Sequence, residues 1–230
     1  NMGSPRRRSR IGFIGAGVVG KSIAIALSRQ GYPVVAVASR SYSSAQELAH
    51  IINGVVAYQT PEETASASDV VFITSPDDAI GEVASTVPWT NTQAVAHCSG
   101  ASSVDVLDPA SVLGASVGTF HPMNAFSSVE NGVRSLPGTT FGIEGDDEMK
   151  AYLKQMATDI GGRPIFLRRE DKVLYHLSGV MMGGLLSAEA AVAAQLWEQL
   201  GMTRDDGVKA LAPMIRQVAA NLETSGVPGA

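Results

Sequence analysis

A glycine-rich segment near the amino terminus constrains this fold more than any other feature. It reads G-A-G-V-V-G over Gly15–Gly20, follows the apolar run Ile11–Ile14, and opens a helical pattern that ends at Gly31. In a parallel sheet such glycines allow a tight turn, let the backbone approach a pyrophosphate, and let the helix pack on the strand. The segment predicts a dinucleotide site, the alternative being a glycine-rich turn without a ligand. The predicted cofactor contacts here are Gly15, Ala16, Gly17, Val18, Val19 and Gly20.

The chain from residue 10 to residue 167 alternates short apolar runs with helical patterns. Such alternation is typical of a sheet of parallel strands covered by helices on both faces. The predicted strands are Ile11–Ile14, Val34–Ala38, Val55–Tyr58, Val70–Thr74, Ala94–Cys98, Ser116–Phe120, Thr140–Ile143 and Pro164–Leu167. The predicted helices cover residues 18–30, 43–52, 61–67, 77–87 and 146–160. Together with the loop, this pattern predicts an α/β fold: a Rossmann-type, doubly wound, mostly parallel sheet.

The pattern changes at Arg169, where an all-helical region begins. Ala, Leu, Met and Val dominate residues 173–196, so this helix is apolar around most of its circumference. A second helix, Asp205–Thr224, is expected to be interrupted near Pro213. Two helices cannot surround a third, so we expect a homodimer built on helix 173–196. The predicted domains are a flexible leader at 1–9, a dinucleotide-binding domain at 10–168, and a truncated helical domain for dimerisation and substrate at 169–230.

Charge and composition exclude several classes of protein. The net charge is −5, and four of the 17 basic residues lie within the first ten positions, so the acidic remainder disfavours nucleic acid as a partner. The single cysteine, Cys98, excludes an internal disulfide and a cysteine zinc cluster, and it fits a reducing, cytoplasmic location. No unbroken apolar run reaches the roughly 18 residues of a membrane span. We therefore predict a protein with no metal site and no membrane partner.

The end of the second predicted strand indicates which dinucleotide is bound. NAD sites usually carry Asp or Glu there, whereas this strand is followed by Ser39, Arg40 and Ser41, with no carboxylate before Glu47. An arginine can pair with the 2′-phosphate of NADP, and serine hydroxyls can add hydrogen bonds. We therefore expect NADP, with NAD less favoured. The alternative is that Arg40 is an ordinary solvated residue.

The fourth predicted strand is followed by Ser75 and Pro76. In a doubly wound sheet, ligands lie beyond the carboxyl ends of the strands near the switch point. We therefore expect Ser75 and Pro76 to line the cofactor site. The next two residues, Asp77 and Asp78, are expected to cap the following helix.

Four polar side chains are the predicted catalytic residues. His97 and His121 end the fifth and sixth strands, on the ligand side of the sheet, where a histidine can exchange a proton with a substrate. Lys172 and His176 lie four residues apart and so share one face of the long helix. The alternatives are core histidines that bond to the backbone, and solvated charges in a helical turn. Cys98 is expected to pack in the core.

These residues together resemble a large superfamily in which a Rossmann domain precedes an all-helical dimerising domain. It includes 6-phosphogluconate dehydrogenase, ketopantoate reductase and pyrroline-5-carboxylate reductase. More closely, residues 10–225 resemble a bacterial branch whose C-terminal domain has no assigned function. The segments that carry the resemblance are Gly15–Gly20, Ser75–Ile80, His97–Gly100, Thr119–Pro122 and Glu170–His176. One departure is Gly183-Gly184, where members of the superfamily often carry a Ser-Asn pair that faces the cleft.

The resemblance and the motifs predict an NADP-dependent oxidoreductase that transfers a hydride between nicotinamide and a small carbonyl or imine compound. In this reading His121 and Lys172 polarise the reacting carbonyl, with His97 and His176 in reserve. The alternative is a non-catalytic NADP-binding sensor or interaction module, which the Gly183-Gly184 departure favours. Pyrroline-5-carboxylate reductase itself is disfavoured, because its Thr and Ser pattern is not evident after residue 170.

Overall fold

The computed structural model describes residues 9–227. The predicted leader, residues 1–9, lies outside the described residues except for Ser9. Residues 228–230 also lie outside them. Everything below concerns the described part of the chain.

Eight strands form one sheet, and six of them follow the predicted doubly wound arrangement. In chain order the strands are β1 (Ile11–Ile14), β2 (Val34–Ala38), β3 (Val56–Tyr58), β4 (Val70–Ile73), β5 (Ala94–His97), β6 (Ser116–Pro122), β7 (Thr140–Gly145) and β8 (Arg163–Phe166). Their order across the sheet is β3-β2-β1-β4-β5-β6-β7-β8. Strands β1 to β6 are parallel, β7 runs antiparallel to β6, and β8 runs parallel to β7. The predicted fold class is confirmed.

Ten α-helices connect or follow these strands in the described residues. They are α1 (Val18–Arg29), α2 (Tyr42–Ile51), α3 (Pro61–Ser66), α4 (Asp77–Thr86), α5 (Asp108–Val112), α6 (Val129–Ser135), α7 (Asp147–Asp159), α8 (Lys172–Val180), α9 (Leu186–Gln195) and α10 (Arg204–Ser225). The two short helices α5 and α6 were not predicted. The expected capping of α4 was wrong: its N-cap is Pro76, which makes no side-chain bond. Asp77 and Asp78 instead lie within the first turn, where the helix dipole favours their charge.

The sheet has a hydrophobic cluster on each face. One cluster contains a row of four buried phenylalanines, Phe13, Phe72, Phe120 and Phe141, whose neighbouring ring centroids lie 4.5–5.6 Å apart. Cys98 belongs to the same cluster. Aliphatic residues dominate the second cluster, which includes Val95 and Ile73. Because side chains alternate along a strand, His97 on β5 points to the same face of the sheet as Val95.

The chain divides into two compact units between His176 and Leu177. The sequence placed the division at residue 168, eight residues earlier. The difference arises because the first turn of α8 belongs to the sheet unit. Lys172 and Tyr175 in that turn are 1% and 8% exposed. Residues up to His176 therefore form one body with the strands.

The second unit contains a helical hairpin of α9 and α10. Gly207 near the start of α10 packs so closely that a Cβ there would lie 2.9 Å from Trp197 and 3.1 Å from the Ala194 backbone. A π-helical segment, Met181–Leu185, precedes α9, and a 3₁₀ segment, Leu196–Leu200, follows it. The interruption expected near Pro213 is absent from α10. Pro213 is exposed, so the carbonyl that loses its partner there can bond to water.

The helical stretch Arg169–Leu200 is long and apolar enough, by length and composition alone, to span a membrane. Its most apolar window has a mean hydropathy of 1.5 and is only 6% buried within the chain. Apolar helices that become covered by protein meet the same criteria, so this finding on its own is weak evidence. The prediction of no membrane partner rested on the lack of an unbroken apolar run and stays a prediction.

Candidate functional site

The glycine-rich loop connects β1 to α1 and is packed against the end of β4. Gly15 has a φ of +109°, and a Cβ there would lie 2.5 Å from the backbone N of Ser75. A Cβ at Gly20 would lie 2.4 Å from Oγ1 of Thr74. The Thr74 hydroxyl donates to the carbonyl oxygen of Gly15 at 2.7 Å. Gly15 and Gly20 therefore have the geometric roles that the sequence predicted, a tight turn and close helix packing.

The outer side of the loop is open, as a phosphate site requires. Gly17 is exposed, with nothing within 4 Å of a Cβ placed on it, and it is the N-cap of α1. No side chain caps this helix, and no acidic residue lies in its first turn. The first backbone N–H groups of α1 are thus available to an anion. Ala16, Val18 and Val19 complete the loop; the first is buried and the others are half-buried.

Ser75 supplies a second observation at the same place. Its Oγ is buried and has no hydrogen-bond partner among residues 9–227. Its neighbour Pro76 is exposed. A buried hydroxyl without a partner is uncommon in folded proteins, and a bound group that offers one would satisfy it. The residues around the loop therefore fit a dinucleotide.

The segment after β2 carries the residues predicted to choose between the two dinucleotides. Arg40 is exposed and makes no ion pair within the part of the chain that the structure describes. Oγ of Ser41 lies 2.9 Å from Oγ of Ser43, and Ser39 is half-buried. Glu47, the first carboxylate after the strand, pairs with the buried Lys21. The contact between Arg40 and a 2′-phosphate stays a prediction.

His97, at the end of β5, is fully buried, and both of its ring nitrogens bond to the backbone. Nε2 donates to the carbonyl oxygen of Ser103 at 3.0 Å, and Nδ1 accepts from the N–H of Ser99 at 3.1 Å. Burial lowers its pKa to about 4. Neither nitrogen is left for a substrate. The structure therefore favours the alternative, in which His97 shapes the loop after β5, over the predicted catalytic role.

His121, near the end of β6, is half-buried and contacts α8. Its Nδ1 lies 3.1 Å from the hydroxyl oxygen of Tyr175, and that hydroxyl also lies 3.1 Å from the carbonyl oxygen of His121. Burial, aided by the neighbouring Lys172 and the other two imidazoles, lowers the pKa of His121 to about 3. The imidazole is therefore neutral at physiological pH.

His176 joins His121 over the backbone of Gly100, in the loop that follows β5. A Cβ on Gly100 would lie 2.6 Å from Nε2 of His121 and 2.6 Å from Nδ1 of His176. The two ring centroids are 6.4 Å apart at an angle of 75°. The structure thus brings together two of the four predicted catalytic residues.

Lys172 is close to this pair in sequence but is withdrawn from solvent. Its Nζ lies 3.3 Å from Oε2 of Glu144, and both side chains are at most 3% exposed. Burial lowers the pKa of Lys172, and the charge of Glu144 opposes that shift. The pairing register places Glu144 on β7 beside Thr119 on β6, and Thr119 beside His97 on β5. Lys172 therefore lies over a buried polar row, and its predicted contact with substrate stays a prediction.

Three residues of the site were missed by sequence reasoning. Glu144 is the buried partner of Lys172, Tyr175 bonds to His121, and Gly100 makes room for two histidines. The sequence carried a signal for the first alone: Glu144 is a carboxylate that directly follows an apolar strand pattern. Cys98, by contrast, behaves as expected, since burial raises the pKa of its thiol to about 12. Within the described residues no cluster of three or more His, Cys, Asp or Glu side chains could hold a metal ion.

Two family models match the chain, and the second begins just before β7. A model described as a Rossmann-like domain matches residues 2–122, and one described as a domain of unknown function, DUF2520, matches residues 139–230. No curated protein matches the chain in sequence.

Several solved structures share the fold over most of the chain. A candidate NADP oxidoreductase from Bacteroides fragilis is 24% identical, with a TM-score of 0.80 over 94% of this chain and 81% of that one. A pyrroline-5-carboxylate reductase from Streptococcus pyogenes is 15% identical, with a TM-score of 0.74 over 97% and 83%. A reductive aminase from Aspergillus terreus, in complex with NADPH and ethyl-5-oxohexanoate, is 18% identical, with a TM-score of 0.68 over 94% and 76%. At these identities the likenesses establish the fold alone.

The buried ion pair gives a prediction for stability. Lys172→Met leaves the Glu144 carboxylate buried without its counter-charge, so we expect the free energy of unfolding to fall by about 3–5 kcal/mol. Urea denaturation followed by circular dichroism measures the change. The double variant Glu144→Leu/Lys172→Met should recover most of the loss. Arg134→Met, which removes an exposed pair with Glu130, should cost less than about 1 kcal/mol. A Lys172→Met variant as stable as the wild type would contradict the assignment of a buried ion pair.

Proposed function

Because the chain belongs to the Rossmann-like domain family and carries a DUF2520 domain after it, we propose that it is an NADP-dependent oxidoreductase. The proposed reaction is hydride transfer between nicotinamide and a small carbonyl or imine compound. One observation carries the proposal: the loop after β1 has the three glycine environments of a dinucleotide site, beside an uncapped helix N-terminus. The names of the structural neighbours, which include NADP oxidoreductases and an NADPH complex, support the same cofactor.

Two features of the chain favour NADP over NAD. Arg40 projects from the end of β2 with no carboxylate partner within residues 9–227, so its guanidinium is available to a 2′-phosphate. Glu47 is ion-paired with Lys21, and it does not lie at the end of β2, where an NAD site usually carries its acidic residue. Ser39 and Ser41 would add hydroxyl donors. Ser75 and Pro76, after β4, would border the same ligand.

The proposed substrate site is the edge of the sheet at Gly100, His121 and His176. Gly100 follows β5, His121 lies near the end of β6, and His176 lies in the first half of α8. They therefore lie farther along the same carboxyl edge of the sheet as the glycine loop. The nicotinamide, when bound, supplies or accepts the hydride. The residues of this chain orient the substrate. Lys172 acts on that edge through its charge, because Glu144 holds its ammonium in the interior.

The alternative is a non-catalytic NADP-binding sensor, and the state of the polar groups favours it. His97 has both ring nitrogens bonded to the backbone, Lys172 is ion-paired, and the pKa of His121 is about 3. General acid catalysis is most effective when the pKa of the acid lies near the working pH. A site built from these groups binds a dinucleotide without requiring turnover. The two functions differ in turnover and share the cofactor.

We expect the protein to bind NADPH more tightly than NADH. Arg40→Ala should weaken NADPH binding by about 10- to 100-fold, the effect of one charge-assisted hydrogen bond, and leave NADH binding unchanged. Isothermal titration calorimetry measures both. Arg163→Ala, which removes an exposed arginine from the far edge of the sheet, is the matched control. Failure of both dinucleotides to bind would remove the cofactor proposal, and equal loss of both in Arg40→Ala would remove the assignment of Arg40.

Turnover separates the enzyme from the sensor. We expect the absorbance of NADPH at about 340 nm to fall with at least one member of a panel of keto acids, aldehydes and cyclic imines. Gly17→Ala/Gly20→Leu, which blocks the loop, is the control and should abolish the signal. A protein that binds NADPH tightly and oxidises it with no member of the panel would be assigned to the sensor class.

We further propose that the apolar helices associate as a homodimer. Exposed leucines, methionines and valines run along the stretch from Leu177 to Leu200, at 39–68% exposure. Glu189 and Glu198 are the charged residues in this stretch. A large exposed apolar surface is uncommon on a monomer, and a second copy offers a matching apolar surface.

If the protein is a homodimer, charged substitutions in the interface should lower its mass in solution. We expect light scattering at micromolar concentration to give twice the chain mass of 23.9 kDa. Leu185→Glu/Leu196→Glu places two carboxylates in the proposed interface and should shift the protein towards monomer. Val112→Glu, at a position that is 85% exposed in the sheet unit, should leave the mass unchanged. A wild-type protein that is monomeric at this concentration would refute the proposal.

A further inference from the structure

We propose that Tyr175 is a positioning residue that holds His121 in the tautomer protonated at Nδ1. Nε2 is then a hydrogen-bond acceptor for a hydroxyl or amine group of the substrate, beside Gly100 and His176. The identity of that group rests on the proposed function, whereas the tautomer does not. The inference names the chemical character of the ligand: a donor of a hydrogen bond at the atom that meets His121.

The first step is the direction of two hydrogen bonds. The Tyr175 hydroxyl lies 3.1 Å from the carbonyl oxygen of His121, which can only accept, and we assign its proton to that bond. The Nδ1 atom of the same residue lies 3.1 Å from the hydroxyl oxygen. With the hydroxyl proton committed to the carbonyl, Nδ1 must carry a proton and donate it to that oxygen. One phenol thus fixes the ring and the backbone of His121 together.

The second step is that this arrangement is rigid. Tyr175 is 8% exposed, and its ring lies against the backbone of Gly142 on β7, the residue paired with His121 across the strands. A Cβ on Gly142 would lie 2.8 Å from Cζ of Tyr175. The His121 and Tyr175 rings meet edge to face, with centroids 5.4 Å apart at 86°. Burial raises the pKa of Tyr175 to about 12, so the phenol keeps its proton.

The third step concerns the other ring nitrogen. Nε2 of His121 makes no hydrogen bond to any described residue, and it lies beside the Gly100 backbone with Nδ1 of His176. In the tautomer set by Tyr175, Nε2 carries a lone pair. Burial and the nearby positive charges keep the ring neutral at physiological pH. Nε2 therefore accepts and does not donate.

The consequence changes the role expected from sequence. A neutral His121 with a lone pair at Nε2 cannot polarise a carbonyl by donating to its oxygen. It can accept from the O–H of an alcohol or the N–H of an amine or imine. A substrate that offers such a donor to His121, beside its reacting carbonyl or imine carbon, binds more tightly than one that meets Nε2 with a carbonyl oxygen, because the latter leaves the acceptor without a partner.

The tautomer can be measured without a cofactor or a substrate. In ¹⁵N-labelled protein, protonated and unprotonated ring nitrogens resonate in separate ranges, and coupling to the ring hydrogens identifies each atom. We expect His121 to be protonated at Nδ1. His97 is the internal control, since its Nε2 donates to Ser103 and its Nδ1 accepts from Ser99, which is the opposite tautomer.

Tyr175→Phe tests the cause. Loss of the phenol oxygen should move part or all of the His121 population to the Nε2-protonated form and leave His97 unchanged. Tyr152→Phe, the same change at another buried tyrosine, on α7, should leave both histidines unchanged. If Tyr175→Phe does not fold, the wild-type spectrum decides, because His121 protonated at Nε2 overturns the proposal. An unchanged tautomer in folded Tyr175→Phe also overturns it.

A pair of probes of matched shape tests the ligand class. We expect 2-propanol to shift the Nε2 signal of His121 and acetone at the same concentration to leave it in place. Equal shifts with the two probes, or no shift with either, would overturn the assignment of a donor-bearing ligand. A protein that fails to bind NADPH but passes both tests keeps this inference and loses the proposed function; the reverse result separates them the other way.

Discussion

The ion pair between Lys172 and Glu144 holds the first turn of α8 on the sheet, and the candidate site depends on that contact. Both charges are withdrawn from water, so each requires the other. Their pairing anchors a helix whose later residues are largely exposed. With Lys172 in place, Tyr175 lies one helical turn farther along, over Gly142, and His176 lies over Gly100. Position on the helix therefore becomes position along β6 and β7.

Burial keeps the surrounding histidines neutral, and the charge of Lys172 acts in the same direction. Lys172 is a positive charge near His97 and His121, and it lowers the pKa of both in addition to burial. Two neutral histidines then differ only in which nitrogen carries the proton. Backbone groups decide this for His97, and a phenol decides it for His121. Burial, with the charge of Lys172 added to it, thus leaves the two histidines as neutral hydrogen-bonding groups with opposite polarity.

Sequence reasoning predicted the parts of this structure that depend on local pattern. Strands β1 and β2 have the predicted bounds, because an unbroken apolar run between turn residues is a local signal. Gly15 and Gly20 were predicted with their geometric roles for the same reason. Strands β6 and β7 each extend two residues beyond prediction, since antiparallel pairing between them adds residues that their own sequences do not mark. The interruption near Pro213 was wrong because exposure decides what a proline costs a helix.

The sequence predicted which edge of the sheet carries the candidate site, but it did not predict the side-chain contacts within the site. The rule that ligands meet the carboxyl ends of strands placed His97 and His121 correctly on one edge. It could not predict that both ring nitrogens of His97 bond to the backbone. Nor could it predict that Glu144 on β7 pairs with Lys172, or that Tyr175, 54 residues after His121, bonds to it. Those contacts require the register of three strands and the placement of one helix together.

This division has a physical origin that bears on function. The cofactor half of the edge is specified by backbone conformation at a few glycines, which tolerate little change. The other half is specified by side chains that meet across β5, β6, β7 and α8. A single substitution there can exchange a donor for an acceptor and leave the strands in place. Side chains at this part of the edge can therefore change while the fold stays the same, and the polarity of His121 is the property of this chain that narrows what the proposed site accepts.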